Sequence, residues 1–175
     1  DGSAKTREAK LGCVFTQTTL DKKGRPVRDE NSTSYTGAIE TADEFACRIE
    51  AAAICRGVKH AERVCFMGDG APWIWRIAAE RFPLAIQIID LYHAREHYWK
   101  VAREAFAKDP EQMRTWAKKR KQELNAGRAD KVAKAIRKLI PQTVGDDHPF
   151  ATEAKYFETN SHRMKYNEFR AQGLF

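Results

Sequence analysis

Long apolar runs are missing from this chain. No stretch approaches the roughly 20 residues needed to cross a bilayer as a helix. Charged residues make up 31% and mean hydropathy is −0.65, which argues against an integral membrane protein. No signal peptide stands behind the opening Asp1-Gly2-Ser3, and a start without Met leads us to expect a piece or processed form of a longer protein. Cysteine is scarce. The four residues Cys13, Cys47, Cys55 and Cys65 include no C-x-x-C pair, so a structural zinc site is not expected. Cys13 and Cys65 lie in strand-like runs, and Cys47 and Cys55 are spaced to share a helical face. Buried free thiols of a cytosolic protein are the expectation. No internal repeat or low-complexity tract is present.

Acidic charge is also in deficit, and unevenly so. The net charge is +7. From Arg95 to Lys138 there are 14 Lys or Arg against 6 Asp or Glu, while the remainder is near neutral with 17 against 18. The basic excess therefore lies in one stretch, which suggests a polyanionic partner such as nucleic acid; a Lys-rich solvated helix surface would look the same. With 42% hydrophobic residues in 175, the chain can build a core. One domain, or one domain with a helical extension, is expected.

The most informative run is Val64-Cys65-Phe66-Met67-Gly68-Asp69-Gly70-Ala71-Pro72-Trp73-Ile74-Trp75. Val64 to Met67 reads as a buried strand that stops at Gly-Asp-Gly, and a helical pattern follows from Trp73 to Arg81. An acid at the C-terminal end of a buried strand faces the crevice where α/β folds bind ligands. The alternative is a turn whose Asp caps the next helix. Leu84 to Ile89 is a second buried strand and ends in Asp90, which predicts a βαβ unit with Asp69 and Asp90 at one sheet edge.

Ahead of this unit, Leu11 to Leu20 reads as a strand, Asp21 to Pro26 as a turn, and Val27 to Tyr35 as a return strand broken at Asn31-Ser32. Thr41 is the predicted N-cap of a helix over 42–56 that Gly57 ends. Beyond His93 the pattern is helical. Helices are expected to about Lys108, from Asp109-Pro110 to Asn125, from Ala129 to Ile140, and over 151–160 and 162–171.

Four constellations could carry chemistry. Asp69 and Asp90, at adjacent strand ends, could hold Mg²⁺, which takes oxygen ligands. His93-x-x-Glu96-His97 matches the inverted zinc-protease signature, with Glu153 available as a third ligand. Trp73-Ile74-Trp75 could stack on a base, although Trp73, Ile74 and Ile77 read as core and Trp75 less clearly so. Arg7 to Lys10 and Arg163 to Arg170 interleave basic and aromatic residues in a manner suited to DNA backbone contact.

Taken in order, Thr6 to Thr18, Pro26-Val27-Arg28-Asp29, Ser32 to Tyr35, Gly68 to Trp75, Gln87 to His97, Arg163-Met164-x-Tyr166 and Phe169 to Phe175 resemble bacterial insertion-sequence transposases of the Kra type. These are DDE enzymes with an RNase H-like core. The resemblance implies DNA transposition, in which three acids hold two divalent ions, Mg²⁺ or Mn²⁺. Water attacks the phosphodiester at the element end, and the freed 3′-hydroxyl then attacks target DNA. It makes Asp69 the second acid and a metal ligand. Asp90-x-x-His93 resembles the D-x-x-H element that follows that acid in Mutator-like relatives, with His93 close to the reacting strand and Asp90 supporting the site.

The first acid and the third, a Glu, are expected outside these residues, so the chain alone is expected to be inactive. Asp1-Gly2 resembles the downstream flank of the first acid, not the acid itself. The expected architecture is α/β: a partial RNase H-like mixed sheet over 1–108, a basic helical insertion over 109–160 and a return segment over 161–175. Arg95, Lys100, Lys118, Lys119, Arg120, Lys121, Arg163 and Lys165 are the DNA-binding candidates. Element ends and target DNA are the expected partners, in a homo-oligomer acting at the bacterial nucleoid in the cytoplasm, with no membrane involved. Two further readings stand beside this one: a zinc metallopeptidase using His93 and His97, and a non-catalytic nucleic-acid-binding module.

Overall fold

The computed structural model describes residues 8–174. The fold is mixed α/β, with more helix than strand. The chain forms two compact units. One comprises the described residues up to Phe66 with Ala71–Ile86, the other Met67–Gly70 with the described residues from Gln87 on. Asp1 and Arg7, noted above, lie outside the described residues.

Among the described residues of the first unit, nested antiparallel pairs form from β1 (Lys10–Val14), β2 (Thr19–Leu20), β3 (Pro26–Val27) and β4 (Ser34–Ala38). β1 pairs with β4, placing Leu11 opposite Gly37 and Cys13 opposite Tyr35, and β2 pairs with β3. The single strand expected over 11–20 breaks after Val14. Side chains take over the bonding there. Asp29 accepts from Thr18 N at 2.9 Å and from Thr16 Oγ1 at 2.7 Å, and Ser32 Oγ accepts from Thr16 N at 3.1 Å. Short polar side chains that bond nearby backbone compete with a strand ladder in this way.

Helix α1 (Ala42–Cys55) opens on the expected cap. Thr41 and Glu44 form a reciprocal capping box, and Gly57 follows the helix at φ 80°. Its buried face is Phe45, Ala46, Ile49 and Ala53. β1 comes close to that face at Gly12, where an added Cβ would lie 2.6 Å from Ile49 Cδ1. Helix α2 (Pro72–Arg81) adds Ile77 to the cluster, with Val14, Phe66, Trp73 and Phe82 packed around it. The tryptophans differ from the expectation. Trp75 is buried, while Trp73 is only half-buried and sets its ring edge against Phe45. Trp75 shares a helix face with buried Ala78, three residues on.

Strands β5 (Cys65–Gly68) and β6 (Ile86–Ile89) form the third two-stranded sheet. Ile86 N donates to Val64 O at 2.9 Å, and Asp90 N donates to Gly68 O at 2.8 Å. The residue offset is the same at both ends, so the strands run parallel, as the βαβ expectation requires.

Among the described residues the second unit holds the α-helices α3 (Leu91–Ala105), α4 (Pro110–Asn125), α5 (Ala129–Arg137), α6 (Pro149–Asn160) and α7 (Tyr166–Ala171). α5 packs along α6, and α3 packs on both α4 and α6. The interior is large and apolar: Ile88, Ile89, Tyr98, Val101, Leu124, Val132, Ile136, Phe157, Met164 and Tyr166 are fully buried. Each such side chain contributes about 1.5–3 kcal/mol by leaving water.

The four cysteines are free, as expected, but all are exposed. The face shared by Cys47 and Cys55 is not the face that α1 buries. Among the described residues no helix is long and apolar enough to cross a membrane.

Candidate active site

The Gly-Asp-Gly corner follows β5. Gly70 has φ 114°, a conformation L side chains rarely adopt, and a Cβ there would lie 2.6 Å from the Tyr156 ring. Glycine is therefore required twice over, by its backbone and by its neighbour. Asp69 is exposed, and its carbonyl accepts a hydrogen bond from Tyr156 Oη at 2.8 Å. The N-cap of α2 is Ala71, followed by Pro72, so Asp69 does not occupy the capping position. Asp90 does cap a helix: its Oδ1 accepts from His93 N at 2.8 Å at the start of α3. The bond from Asp90 N to Gly68 O sets the two acids at neighbouring ends of a parallel strand pair. His93 follows within the first turn of α3.

Tyr156 sits among the acids. Burial pushes its phenol up from its ordinary range, and the negative charges of Asp69, Asp90 and Glu153 push it further in the same direction. Tyr166, fully buried, donates to Ile89 O at 3.0 Å and fixes the end of β6. Burial raises its phenol as well, with Tyr156 and Asp90 adding to the effect.

A histidine cluster adjoins the corner. His97 stacks on Tyr156, with ring centres 3.7 Å apart and planes 17° from parallel. His97 Nδ1 lies 2.6 Å from Glu153 Oε2, His93 Nδ1 lies 3.3 Å from Glu96 Oε2, and the two Nε2 atoms lie 3.3 Å apart. Lys100 Nζ donates to the other Glu153 oxygen at 2.6 Å. Glu153 is buried, which alone would raise its pKa, but the bonds to His97 and Lys100 outweigh burial and hold it below the usual carboxylate value. Both Glu153 oxygens are thus engaged, one by a His ring and one by an ammonium, so Glu153 does not stand as a third zinc ligand.

The DNA-binding candidates separate into two groups. Lys118, Lys119 and Lys121 on α4 are exposed. Arg120 is not: it is buried and ion-paired with Glu123 at 2.8 Å, which corrects its place among the surface contacts. Arg95 donates to Asn125, and Lys100 is held by Glu153. Arg163 donates to Gln87 at 2.7 Å and to Asn160 at 3.0 Å, and Lys165 is half-buried. Of these, Arg95, Lys100 and Arg163 are tied to polar partners within the second unit, although Lys100 remains exposed. Lys119 also borders a cleft of about 390 Å³ between α4 and α5, lined as well by Trp116, Lys131, Lys134 and Lys138.

Among the described residues no three His, Cys, Asp or Glu side chains converge as a metal cage. Mg²⁺ is commonly bound by one or two carboxylates with the remaining positions left to water and phosphate oxygens. Asp69, exposed at a strand end beside Asp90, is a carboxylate that could take such a part.

Sequence reasoning missed Tyr156 and offered Glu153 only as a third zinc ligand. The signal available was their i, i+3 spacing on α6, on the side that also buries Ala154 and Phe157. Comparison with protein-family models, with curated proteins and with solved structures gave no match.

Proposed function

We propose that this chain is the part of a DDE-type DNA transposase that carries the second catalytic acid: a partial RNase H-like sheet followed by a basic helical insertion. One juxtaposition supports the reading. Asp69 and Asp90 occupy neighbouring ends of parallel β5 and β6, with His93 in the first turn beyond. Asp69 is the residue that would hold Mg²⁺ or Mn²⁺. The bound ion would neutralise charge on the scissile phosphate and activate the attacking oxygen. The chain's own residues supply position. Gly70 and Tyr156 fix the corner that presents Asp69, and Asp90 fixes the backbone of His93 so that its ring meets the DNA strand. Lys118, Lys119 and Lys121 offer exposed charge to phosphates, a contact expected to weaken steeply with salt. In this reading the other two acids come from flanking segments, the intact enzyme is a homo-oligomer, and it acts on DNA at the bacterial nucleoid.

Mn²⁺ relaxation in amide NMR spectra tests the assignment on the chain itself. Broadening should centre on Asp69 and Asp90 and vanish in Asp69→Asn. Broadening centred elsewhere would overturn it. In parallel, the purified chain with Mg²⁺ or Mn²⁺ should leave labelled element ends uncut, and cleavage by the chain alone would contradict the placement of the other acids.

A further inference from the structure

The ring nitrogens of His93 and His97 converge. His97 Nδ1 lies 2.6 Å from the buried carboxylate of Glu153 and is placed to carry a hydrogen toward it, which leaves Nε2 of the neutral ring as an acceptor. His93 Nδ1 lies at ion-pair distance only, 3.3 Å, from exposed Glu96. The two Nε2 atoms face each other at 3.3 Å, where either a shared hydrogen or a metal ion joins them. The separation also matches the ligand–ligand edge of a tetrahedron whose metal–nitrogen bonds are about 2.0–2.1 Å.

We infer that His93 Nε2 and His97 Nε2 form a binding site for a borderline-soft divalent ion such as Zn²⁺ or Cu²⁺, distinct from the oxygen site at Asp69. Three features carry this. The two His are at i, i+4 on α3, so both rings lie on one helix face. His97 Nδ1 has a hydrogen-bonded carboxylate partner, the arrangement that fixes tautomer and ring orientation in metal-bound His. That partner, Glu153, is itself buried and held in place by Lys100, and the His97 ring is clamped against Tyr156. Imidazole selects Zn²⁺ and Cu²⁺ over Mg²⁺ and Mn²⁺. No third His, Cys, Asp or Glu among the described residues joins the pair, so water completes the coordination. Affinity is expected in the micromolar range, below that of four-ligand structural sites. This site does not depend on the transposase reading, although a metal on His93 Nε2 would withdraw that atom from a DNA strand.

The test is titration of the purified chain with Zn²⁺ alone at pH 7.5, by calorimetry and by competition with a chromogenic chelator. One ion should bind per chain. His93→Ala and His97→Ala should each lose at least tenfold in affinity, and Glu153→Gln about tenfold, in the range for outer-shell partners of metal-bound His. His60→Ala, at an exposed His of the first unit, should bind as the parent does. Electron paramagnetic resonance of the Cu²⁺ complex of the unaltered chain should show two imidazole nitrogens, a readout that needs no variant to fold. No saturable binding with a Kd below about 100 μM would overturn the inference. Binding undiminished in His97→Ala, or a Cu²⁺ spectrum with one nitrogen or none, would do the same. In those cases a proton bridges the pair.

Discussion

The two units of this chain bury their apolar residues very differently. The second closes a core around ten fully buried large side chains. The first has a small cluster of Phe45, Ala46, Ile49 and Ile77, and it leaves Leu11, Tyr35, Ile39 and Leu84 largely in water, at 77%, 71%, 62% and 95% exposure. Its sheets are two-stranded, and a pair of strands alone covers little of its own apolar surface. Local bonds compensate: a capping box at Thr41, an Asp29 hub joining the hairpin arms, and ion pairs such as Arg48 with Glu40. The lesson is that order in the first unit rests on polar, local chemistry, and order in the second on packing. The candidate site belongs to the packed one, where a carboxylate and two rings can be held in place.

That contrast can be broken most forcefully in the second core. Phe157→Ala should cost about 3–5 kcal/mol, whereas Leu84→Ala in the first unit should stay within about 0.5 kcal/mol. Urea melts of both variants check this, and equal effects would erase the distinction. A smaller change is expected at the corner. Gly70→Ala forces a Cβ onto Tyr156 in a left-handed conformation and should cost about 2 kcal/mol. A truncated Tyr156 in the same chain should relieve the steric part but not the backbone part, which a double-mutant cycle would resolve.

The smallest effect sharpens the account of the first unit. The Thr18 amide and the Thr16 hydroxyl hold the Asp29 carboxyl below its ordinary value. A carboxylate depressed in the folded state stabilises above its unfolded pKa, and that contribution is lost as pH falls through the folded pKa. Hairpin protection from amide exchange should therefore fall only in acid, below the usual Asp range. Asp29→Asn should remove that acid dependence while lowering protection at neutral pH.

Much of the framework was legible along the chain. Thr41 with Glu44 three residues on, Gly57, Asp109-Pro110 and Gly127 mark helix ends by local chemistry, and they fall where helices begin and end. The βαβ unit was equally clear, because two short apolar runs, each ending in an acid, flank a helical pattern. The break after Val14 was not legible: it depends on Asp29 and Ser32, more than a dozen residues away, reaching back to Thr16 and Thr18. The exposure of the cysteines escaped for a similar reason, since which face of α1 is covered depends on where β1 and α2 lie.

The sequence by itself settled the βαβ unit and most of the helices, and it placed Asp69 and Asp90 at strand ends, because caps, turns and periodicity act within a few residues of one another. Only the folded chain decided that Tyr156 closes over Gly70, that Glu153 grips His97 and Lys100, and that Arg120 turns inward to Glu123. Those contacts join residues on separate elements or on one chosen face of a helix. Their selection follows from which surfaces the core buries, a choice made by the whole chain at once.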